Sequence, residues 1–276
     1  MKIAFLADPI STFKIYKDST FAMMREAAKR GHAVYAFEQR DMVLEEGVVT
    51  AEVTRLHLTG EQDPWYRAEA PEIVELNVFD AIIERKDPPF DMEYVYGTYL
   101  LELAERRGAR VFNRAGAIRD HNEKLTIGQF SQYTSPTLVS SNPARLRAFH
   151  EKHGDVIFKP LDGMGGAGIF RIKDDGMNLG SVIESLSVNG TQTIMAQKYI
   201  PAIKEGDKRV LVINGKPVPF TLARIPQGNE VRGNLAAGGK GVAMPITDRE
   251  REIADQTGFD VAAMFIDAVE LKVNEK

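Results

Sequence analysis

Residues 159–168 decide the fold of the second half of the chain, and they read KPLDGMGGAG. Four glycines fall within six of these residues, at positions 163, 165, 166 and 168. Such a run lets a backbone approach a ligand closely and turn its N–H groups toward an anion. The stretch therefore predicts a phosphate-binding loop, in which Lys159 is placed to reach a phosphate oxygen.

The residues after this loop argue against the two commonest phosphate motifs. Gly163, Gly165 and Gly168 match the spacing G-x-G-x-x-G, but a dinucleotide-binding loop opens a helix, whereas residues 169–172 (IFRI) are typical of a strand. A Walker loop requires Lys and then Ser or Thr at the first two of those positions. The remaining interpretation is a flap of strand, loop and strand, as kinases place over ATP. The alternative is a mobile hairpin tip with an incidental lysine.

Around the flap, the second half reads as an α+β domain. Pro143 after Asn142 predicts the start of a helix that Gly154 ends. The pair Asn214-Gly215 stands between two apolar runs, and it favours a two-residue hairpin because both positions need positive φ. Before that hairpin, Asp207 and Arg209 could orient a phosphate or a carboxylate, and Lys208 reads as part of a solvated turn.

A second glycine-rich stretch, residues 224–241, reads RIPQGNEVRGNLAAGGKG. It is long and nearly free of large apolar residues, and loops of this length in compact domains are usually functional or disordered. Arg224, Arg232 and Asn234 favour a lid that excludes water from a reactive intermediate. The alternative is a surface loop without a role in chemistry.

The first half has the pattern of an α/β unit. Apolar runs at residues 3–6 and 34–37 enclose a helical pattern, which favours a parallel sheet covered by helices. A further strand at 80–83 runs into RKDPPFD at residues 85–91, where two prolines prevent regular structure and Asp91 can cap the next helix. Residues 1–120 therefore read as one domain, and the remaining residues, 121–276, as another.

Composition limits the function classes. The chain has 276 residues, no cysteine, and 35 basic against 39 acidic residues, for a formal net charge of −4. No disulfide, thiolate metal site or cysteine nucleophile is possible, and the charge offers no footprint for nucleic acid. The apolar start ends at Asp8-Pro9 and is too short for a signal peptide or a membrane span, so we expect a cytoplasmic protein with no membrane partner.

At this point six segments carry a resemblance to a known family. The chain closely resembles the bacterial glutathione synthetases, ligases of the ATP-grasp superfamily, from Met1 to about Pro245 and again at the C-terminus. The segments that carry the resemblance are KDSTFAM (17–23), RKDPPFD (85–91), NEK (122–124), KPLDGMGG (159–166), GDKR (206–209) and ARIPQG (223–228).

The resemblance implies a Rossmann-like α/β substrate domain over residues 1–120, followed by an α+β ATP-grasp fold over 121–276. The latter would comprise a flap subdomain at about 124–200 and a larger, lid-bearing part at about 201–276. The implied reaction joins γ-glutamylcysteine to glycine at the expense of ATP, through an acyl phosphate. Mg²⁺ or Mn²⁺ is the implied cofactor, and a homo-oligomer, dimer or tetramer, is the implied assembly.

The resemblance also implies roles for individual residues. Those on the nucleotide side are Lys124, Lys159, Gly163, Gly165, Gly166, Gln197, Tyr199, Ile200 and Asp207, with the segment 197–200 reading the adenine edge. Arg209 and Arg224 would face the transferred phosphoryl group and the acyl phosphate, and Arg232 and Asn234 would lie in the lid. The dipeptide side would be lined by Lys17, Asp18, Ser19 and Arg85. His150 and His153 read as surface residues.

One departure from the family concerns the metal. After the lid the family continues through strands whose acids and asparagine hold Mg²⁺, whereas here residues 248–253 lead almost directly into the final helix at 256–261, so roughly forty residues are missing against the usual family length. The metal ligands are therefore unassigned, with Asp207 as the one candidate. Either the given sequence omits a segment of an ordinary enzyme, or the chain is shortened and impaired, binding nucleotide or dipeptide without turnover. A kinase-like phosphotransferase is a third hypothesis, but no H-R-D or D-F-G signature supports it.

Overall fold

The structure is a computed structural model that describes residues 1–213, 215–228 and 238–262, with side chains to residue 257. The chain divides into two compact units, Met1–Asp120 and His121–Lys276. Each unit has its own sheets and its own buried apolar core.

The first unit is a sheet with helices packed on it. Its elements are β1 (Lys2–Ala7), α1 (Ser19–Lys29), β2 (Ala33–Phe37), β3 (Met42–Glu45), β4 (Val48–Leu58), β5 (Tyr66–Ala68), β6 (Glu72–Glu75), β7 (Ala81–Arg85), α2 (Met92–Arg106), β8 (Val111–Phe112) and α3 (Ala115–Asp120).

The centre of this sheet is parallel, as the sequence pattern predicts. Strand β1 pairs in parallel with β2 and β7, and β7 pairs in parallel with β8. A parallel pair of strands needs a long crossover connection. Helix α1 lies in the connection between β1 and β2, and helix α2 in that between β7 and β8. Strands β3, β5 and β6 add to the sheet by antiparallel pairs with β4, which itself pairs antiparallel with β2, so the whole sheet is mixed. These four strands were not predicted from the sequence.

Two aspartates begin the helices of the first unit. The Asp18 carboxylate accepts from the backbone N–H of Phe21 at 2.9 Å, and the Asp91 carboxylate accepts from that of Tyr94 at 2.9 Å. Each satisfies a backbone donor that has no partner within the helix. The cap predicted at Asp91 is confirmed. Because the carboxyl ends of parallel strands lie at one edge of a sheet, these caps lie near the ends of β1 and β7.

The second unit contains two antiparallel sheets. Its elements are β9 (Thr137–Ser140), α4 (Pro143–His153), β10 (Val156–Pro160), β11 (Phe170–Ile172), α5 (Leu179–Leu186), β12 (Ile194–Lys198), β13 (Asp207–Ile213), β14 (Lys216–Ile225), β15 (Lys240–Pro245) and α6 (Asp248–Ala262), with 3-10 helices at Leu125–Tyr133 and Pro201–Glu205.

One sheet has the order β11-β10-β12-β9 and the other the order β13-β14-β15. Helices α4 and α5 cover one face of the first sheet, where Leu146, Phe158 and Ile183 are fully buried. Helix α6 packs on the second sheet through Ile253 and Ala254. Asn142 caps α4, with Pro143 in its first turn, as predicted.

The hairpin of β13 and β14 is confirmed, since Ile213 pairs with Lys216 across a two-residue turn. Asn214, on which the turn prediction also depended, lies outside the described residues.

Two predictions about single residues are wrong. His150 is 6% exposed and its Nε2 lies 2.9 Å from the carbonyl of Lys173, so it belongs to the interior rather than the surface.

Lys208 is the second of these corrections. It is part of β13 rather than a solvated turn, and its ammonium lies 2.8 Å from the buried carboxylate of Glu250. Glu250 also accepts from the backbone N–H of Thr247, and Thr247 in turn accepts from that of Glu250. This reciprocal arrangement caps α6 and ties it to β13.

Candidate functional site

The glycine-rich stretch is a loop between two strands. Strands β10 and β11 pair antiparallel, with Phe158 opposite Phe170, and the loop joins them. Gly165, Gly166 and Gly168 have φ values of +66°, +85° and +68°, which only glycine adopts at little cost. The predicted flap of strand, loop and strand is confirmed, and its backbone conformation requires the glycines that the sequence supplies.

Lys124 lies at the base of this flap. Its ammonium donates to the carbonyl oxygens of Leu161 at 3.2 Å and Gly163 at 2.5 Å, and it lies 2.7 Å from the Glu123 carboxylate. These three contacts use the three donors of a lysine. The structure therefore brings Lys124 and Gly163 together, although they are distant in sequence.

Lys159 and Met195 share the face of the first sheet that lies opposite α4 and α5. Phe158 and Ala196 are register partners and both belong to the helix-covered core. Because side chains alternate along a strand, their neighbours Lys159 and Met195, also register partners, point to the other face. This face therefore carries a cation beside the start of the flap.

A cavity of about 430 Å³ opens on this face. Lys124, Thr137, Val139 and Met195 line it, together with residues of the 3-10 helix Leu125–Tyr133. A volume of this size suits a small ligand, and a mostly apolar wall with one lysine suits a planar base near a phosphate. Gln197 adds to the same face by donating its side-chain amide to Thr137 at 2.9 Å.

Tyr199 follows β12 at the end of that strand. Its ring lies under the Arg171 guanidinium, 3.5 Å from the ring centroid, and Arg171 pairs with Asp155 with Nε 2.8 Å from Oδ1. Tyr199 is 7% exposed, and its hydroxyl has no hydrogen-bond partner among the residues that the structure describes. Ile200 stands next, as the cap of the 3-10 helix Pro201–Glu205. Neither Arg171 nor Asp155 was predicted from the sequence as a site residue.

Asp207 and Arg224 form a buried ion pair. They are register partners on β13 and β14, and the guanidinium meets both carboxylate oxygens, with Nε 3.0 Å from Oδ1 and Nη2 in contact with Oδ2. Arg224 is 5% exposed. A bidentate contact fixes the plane of the guanidinium and leaves both residues neutralised. Both residues were expected in the site, but their pairing was not.

Arg209 lies on the same face of the second sheet as this pair. Lys208 and Val210 point toward α6, and the alternation of β13 turns Asp207 and Arg209 to the opposite face. The structure thus brings Asp207, Arg209 and Arg224 to one face, as their expected roles require. Arg232 and Asn234 lie outside the described residues.

The described residues do not form a site for a divalent cation. Across residues 1–213, 215–228 and 238–257 no group of three or more His, Asp or Glu side chains converges. Both oxygens of Asp207 are taken by Arg224, and those of Glu250 by Lys208 and Thr247. Mg²⁺ prefers free carboxylate oxygens in octahedral geometry, and the donor set found here does not provide them.

In the first unit, Arg85 meets the start of α1. Its guanidinium donates to the hydroxyls of Ser19 at 2.8 Å and Thr20 at 3.0 Å, and Asp18 precedes both as the helix cap. Burial lowers the pKa of Arg85, and the carboxylates of Glu84, Asp87 and Asp18 oppose that effect. Of the four residues expected to bind a dipeptide, the structure brings Arg85, Ser19 and Asp18 together. Lys17 is exposed in the preceding turn.

The chain was compared with known proteins. Two family models match it: "Prokaryotic glutathione synthetase, N-terminal domain" over residues 1–119 and "Prokaryotic glutathione synthetase, ATP-grasp domain" over residues 123–267. A glutathione synthetase from Ralstonia nicotianae is 55% identical over an alignment that covers 98% of this chain and 95% of the relative. A glutathione synthetase from Neisseria meningitidis serogroup A is 47% identical, and the alignment covers 98% of this chain and 98% of the relative.

The alignment with the Ralstonia protein is longer than the chain itself. It extends over 309 positions against 276 residues, so at least 33 of its positions are gaps in this chain. This agrees with the missing segment inferred from the sequence.

Solved structures extend the likeness to the fold. D-cycloserine synthetase DcsG superposes with a TM-score of 0.64 at 14% identity, covering 98% of this chain and 84% of that one. The ATP-grasp ligase PsnB, in complex with a minimal precursor, Mg and ADP, gives a TM-score of 0.57 at 19% identity, covering 99% and 87%. The expected ATP-grasp fold is confirmed. None of the helices in the described residues has the length and apolar character that crossing a bilayer requires.

Proposed function

Because the chain belongs to the prokaryotic glutathione synthetase family, we propose that it is an ATP-dependent ligase that joins γ-glutamylcysteine to glycine and releases ADP and phosphate. The observation that carries the proposal is the convergence of Lys124, Lys159 and the glycine flap beside a cavity on one face of a sheet. That arrangement suits a triphosphate whose base lies in the cavity.

The proposed chemistry has two steps. A carboxylate oxygen of the cysteinyl residue attacks the γ-phosphorus, the bond to ADP breaks, and an acyl phosphate forms. The amine of glycine then attacks the acyl carbon, loses a proton, and displaces phosphate. Lys159 and the flap N–H groups hold the triphosphate, while Lys124 holds the flap through the carbonyls of Leu161 and Gly163. Arg209 and Arg224 face the transferred group, with Arg224 in the orientation that Asp207 fixes.

Adenine recognition is assigned to the end of β12. The backbone N–H groups of Lys198 and Tyr199 already donate to the carbonyls of Pro136 and Asp155. Gln197 lies within the ladders that join β12 to β10 and β9, opposite Ile157 and Thr137. We therefore assign the reading of the adenine edge to the backbone of Ile200, which follows Tyr199. Asp207 acts in this scheme by orienting Arg224 rather than by contacting the nucleotide directly.

The family resemblance implies Mg²⁺ or Mn²⁺ as cofactor. Because Asp207 and Glu250 are already paired, we propose that the cation enters with the ATP phosphates and that no set of carboxylates among the described residues holds it beforehand. In both steps of the reaction, the groups that bind and orient the substrates are residues of this chain. The resemblance also supports a cytoplasmic homo-oligomer, dimer or tetramer, which analytical ultracentrifugation of the purified chain tests.

The test of the function is a coupled measurement of ADP release. We expect ADP release to require ATP, γ-glutamylcysteine and glycine together, with glutathione formed in equal amount. ADP release without glycine would indicate a phosphotransferase. ATP binding without any glycine-dependent ADP release would indicate a binding protein that has lost its chemistry. Intact mass spectrometry of the same sample, against the 30.7 kDa of this sequence, determines whether the shortened chain was assayed.

Replacing Arg85 tests the substrate assignment of the first unit. We expect Arg85→Ala to weaken γ-glutamylcysteine binding by about tenfold or more, because hydrogen bonds to charged groups contribute about 1.5–3 kcal/mol. The affinity for ATP should not change. Isothermal titration calorimetry measures both. Arg110→Ala, at an arginine with 67% side-chain exposure in the same unit, is the matched control, and equal losses in both variants would contradict the assignment.

A further inference from the structure

Glu84 is a carboxylic acid buried beside the proposed dipeptide-binding segment. It is 4% exposed and stands one residue before Arg85, near the end of β7. Strand alternation places the two side chains on opposite faces of the sheet. Arg85 therefore reaches α1, as described above, whereas Glu84 lies against Tyr94 of α2.

The two contacts of the Tyr94 hydroxyl, with Glu84 and with the Lys86 carbonyl, need two protons. When Glu84 is ionised, only the Tyr94 hydroxyl proton is present. The Tyr94 hydroxyl oxygen lies 3.0 Å from Glu84 Oε1 and 3.0 Å from the carbonyl oxygen of Lys86. A phenol has one proton and can donate to only one of these acceptors. If Glu84 is protonated, it donates to the Tyr94 oxygen, and Tyr94 donates to the Lys86 carbonyl. Glu84 Oε1 also accepts from the Lys86 N–H at 3.0 Å, so all three contacts are satisfied.

We infer that neutral Glu84 and Tyr94 are positioning residues that hold residues 85–87 in place for the dipeptide, through a hydrogen-bond chain in which Glu84 donates to Tyr94 and Tyr94 donates to the Lys86 carbonyl. This inference rests on the proposed function, because the ligand it serves is γ-glutamylcysteine. When Glu84 loses its proton, the Tyr94 hydroxyl turns to the carboxylate and the Lys86 carbonyl loses its donor. The segment that carries Arg85 is then held less firmly.

Burial, opposed by the neighbouring groups, sets the pH range of this effect. The groups nearest Glu84 are Lys86 on its own strand end and Tyr94 on α2, with Arg85 on the other face of the sheet. Asp87 and Asp8 surround Lys86, which pairs with Asp8 at 2.7 Å. Burial raises the pKa of Glu84 to about 7, against the lowering effect of the Lys86 N–H and the Tyr94 hydroxyl. Burial and the adjacent carboxylate also raise the pKa of Tyr94, so the phenol keeps its proton.

The sign of the pH dependence follows from the raised pKa. Between the ordinary value of 4.5 and about 7, the folded chain binds a proton that the unfolded chain has released. Protonation therefore favours the ordered segment at low pH, and the contribution is lost as the pH rises through about 7. Dipeptide affinity should fall over the same range.

The first experiment follows the proton directly and needs no ligand. Glutamate carboxyl carbons are labelled with carbon-13, and their chemical shifts are recorded from pH 4 to 8.5. The resonance missing from Glu84→Gln is assigned to Glu84. We expect it to titrate near pH 7, and a midpoint below pH 5 would overturn the inference.

The second experiment measures binding against pH. The single tryptophan, Trp65, reports on the start of α1, since Phe21 packs edge-on against it at 5.1 Å. Its fluorescence gives the Kd of γ-glutamyl-2-aminobutyrate, a dipeptide without the titratable thiol, from pH 5.5 to 8.0. We expect the wild-type Kd to rise about fivefold with a midpoint near 7, as the loss of one hydrogen bond predicts. Histidine titrations elsewhere affect all variants equally.

Three variants separate positioning from structural support. Glu84→Gln, which cannot ionise, should bind with a Kd that is independent of pH, and Tyr94→Phe should bind weakly at every pH. Glu93→Gln removes an exposed carboxyl from the same helix and should keep the wild-type profile. An unchanged slope in Glu84→Gln would overturn the inference. If wild type binds no dipeptide at any pH, the proposed function fails, while the carbon-13 titration still determines whether Glu84 holds the proton.

Discussion

Lys159→Ala is expected to lower kcat/KM for ATP by about a hundredfold or more. Lys159 extends from β10 on the face of the sheet opposite α4 and α5, at the start of the glycine flap, and its register partner Met195 lines the cavity. A fixed cation aimed at a transferring phosphoryl group stabilises the charge that develops there, and removing one such donor typically costs a factor of 10²–10³. Steady-state ADP release at varied ATP measures the loss.

Two further variants make this result interpretable. Lys159→Met keeps most of the aliphatic stem and should lose activity to the same extent, while its melting temperature stays close to that of the wild type. Lys152→Ala removes an exposed lysine from α4 in the same unit and should retain full activity. Near-normal turnover in Lys159→Ala would exclude the phosphate-binding role.

Arg224→Ala is expected to lower the free energy of unfolding of the second unit by about 3–5 kcal/mol. The substitution leaves the carboxylate of Asp207 buried without the guanidinium that neutralises it. An uncompensated charge in the interior is far more costly than the loss of an exposed pair. Denaturant unfolding followed by circular dichroism measures the change, and turnover should be lost at the same time.

A double variant separates the structural from the catalytic part of that loss. Asp207→Leu combined with Arg224→Met replaces the pair by apolar side chains of similar size and should recover most of the stability. It should not recover turnover, because the cation at position 224 is lost and Arg209 then faces the transferred group without it. Arg249→Ala breaks a pair in which both side chains are about half exposed, with Glu252, and should cost less than 1 kcal/mol. Recovered turnover in the double variant would contradict the role proposed for Arg224.

Local patterns in the sequence determined a large part of the fold. The apolar runs of β1 and β2, the caps at Asp91 and Asn142, and the glycine flap were all predicted from neighbouring residues and are present. Each depends on interactions within a few residues of the chain, such as a carboxylate with the next turn of backbone. The strands β3–β6 were not predicted. The hairpin of β3 and β4 is local, with Glu45 opposite Val48, and its Glu46-Gly47 turn was a signal that the prediction did not use. The pairing of β6 with β4, with Thr50 opposite Glu75, joins residues farther apart in the chain.

Resemblance to a family added candidate site residues that the local patterns had not singled out. It selected Lys124, which is far in sequence from the flap that it contacts, and no periodicity could have connected them. The pairing of Asp207 with Arg224 and the contact of Arg171 with Tyr199 were not anticipated. A sequence gives the types of charged side chains that are available, but it does not determine which of them meet.

The sequence by itself determined the two-part α/β and ATP-grasp character, the flap between two strands, and the family. Only the tertiary structure decided which charges are neutralised and which protons are held. His150 is buried, Lys208 pairs with Glu250, and Glu84 lies against Tyr94 because strand register and helix packing bring them there. Burial raises the cost of an unpaired charge many times over its cost in water. The protonation and pairing of these groups therefore depend on contacts between elements that are far apart in the chain.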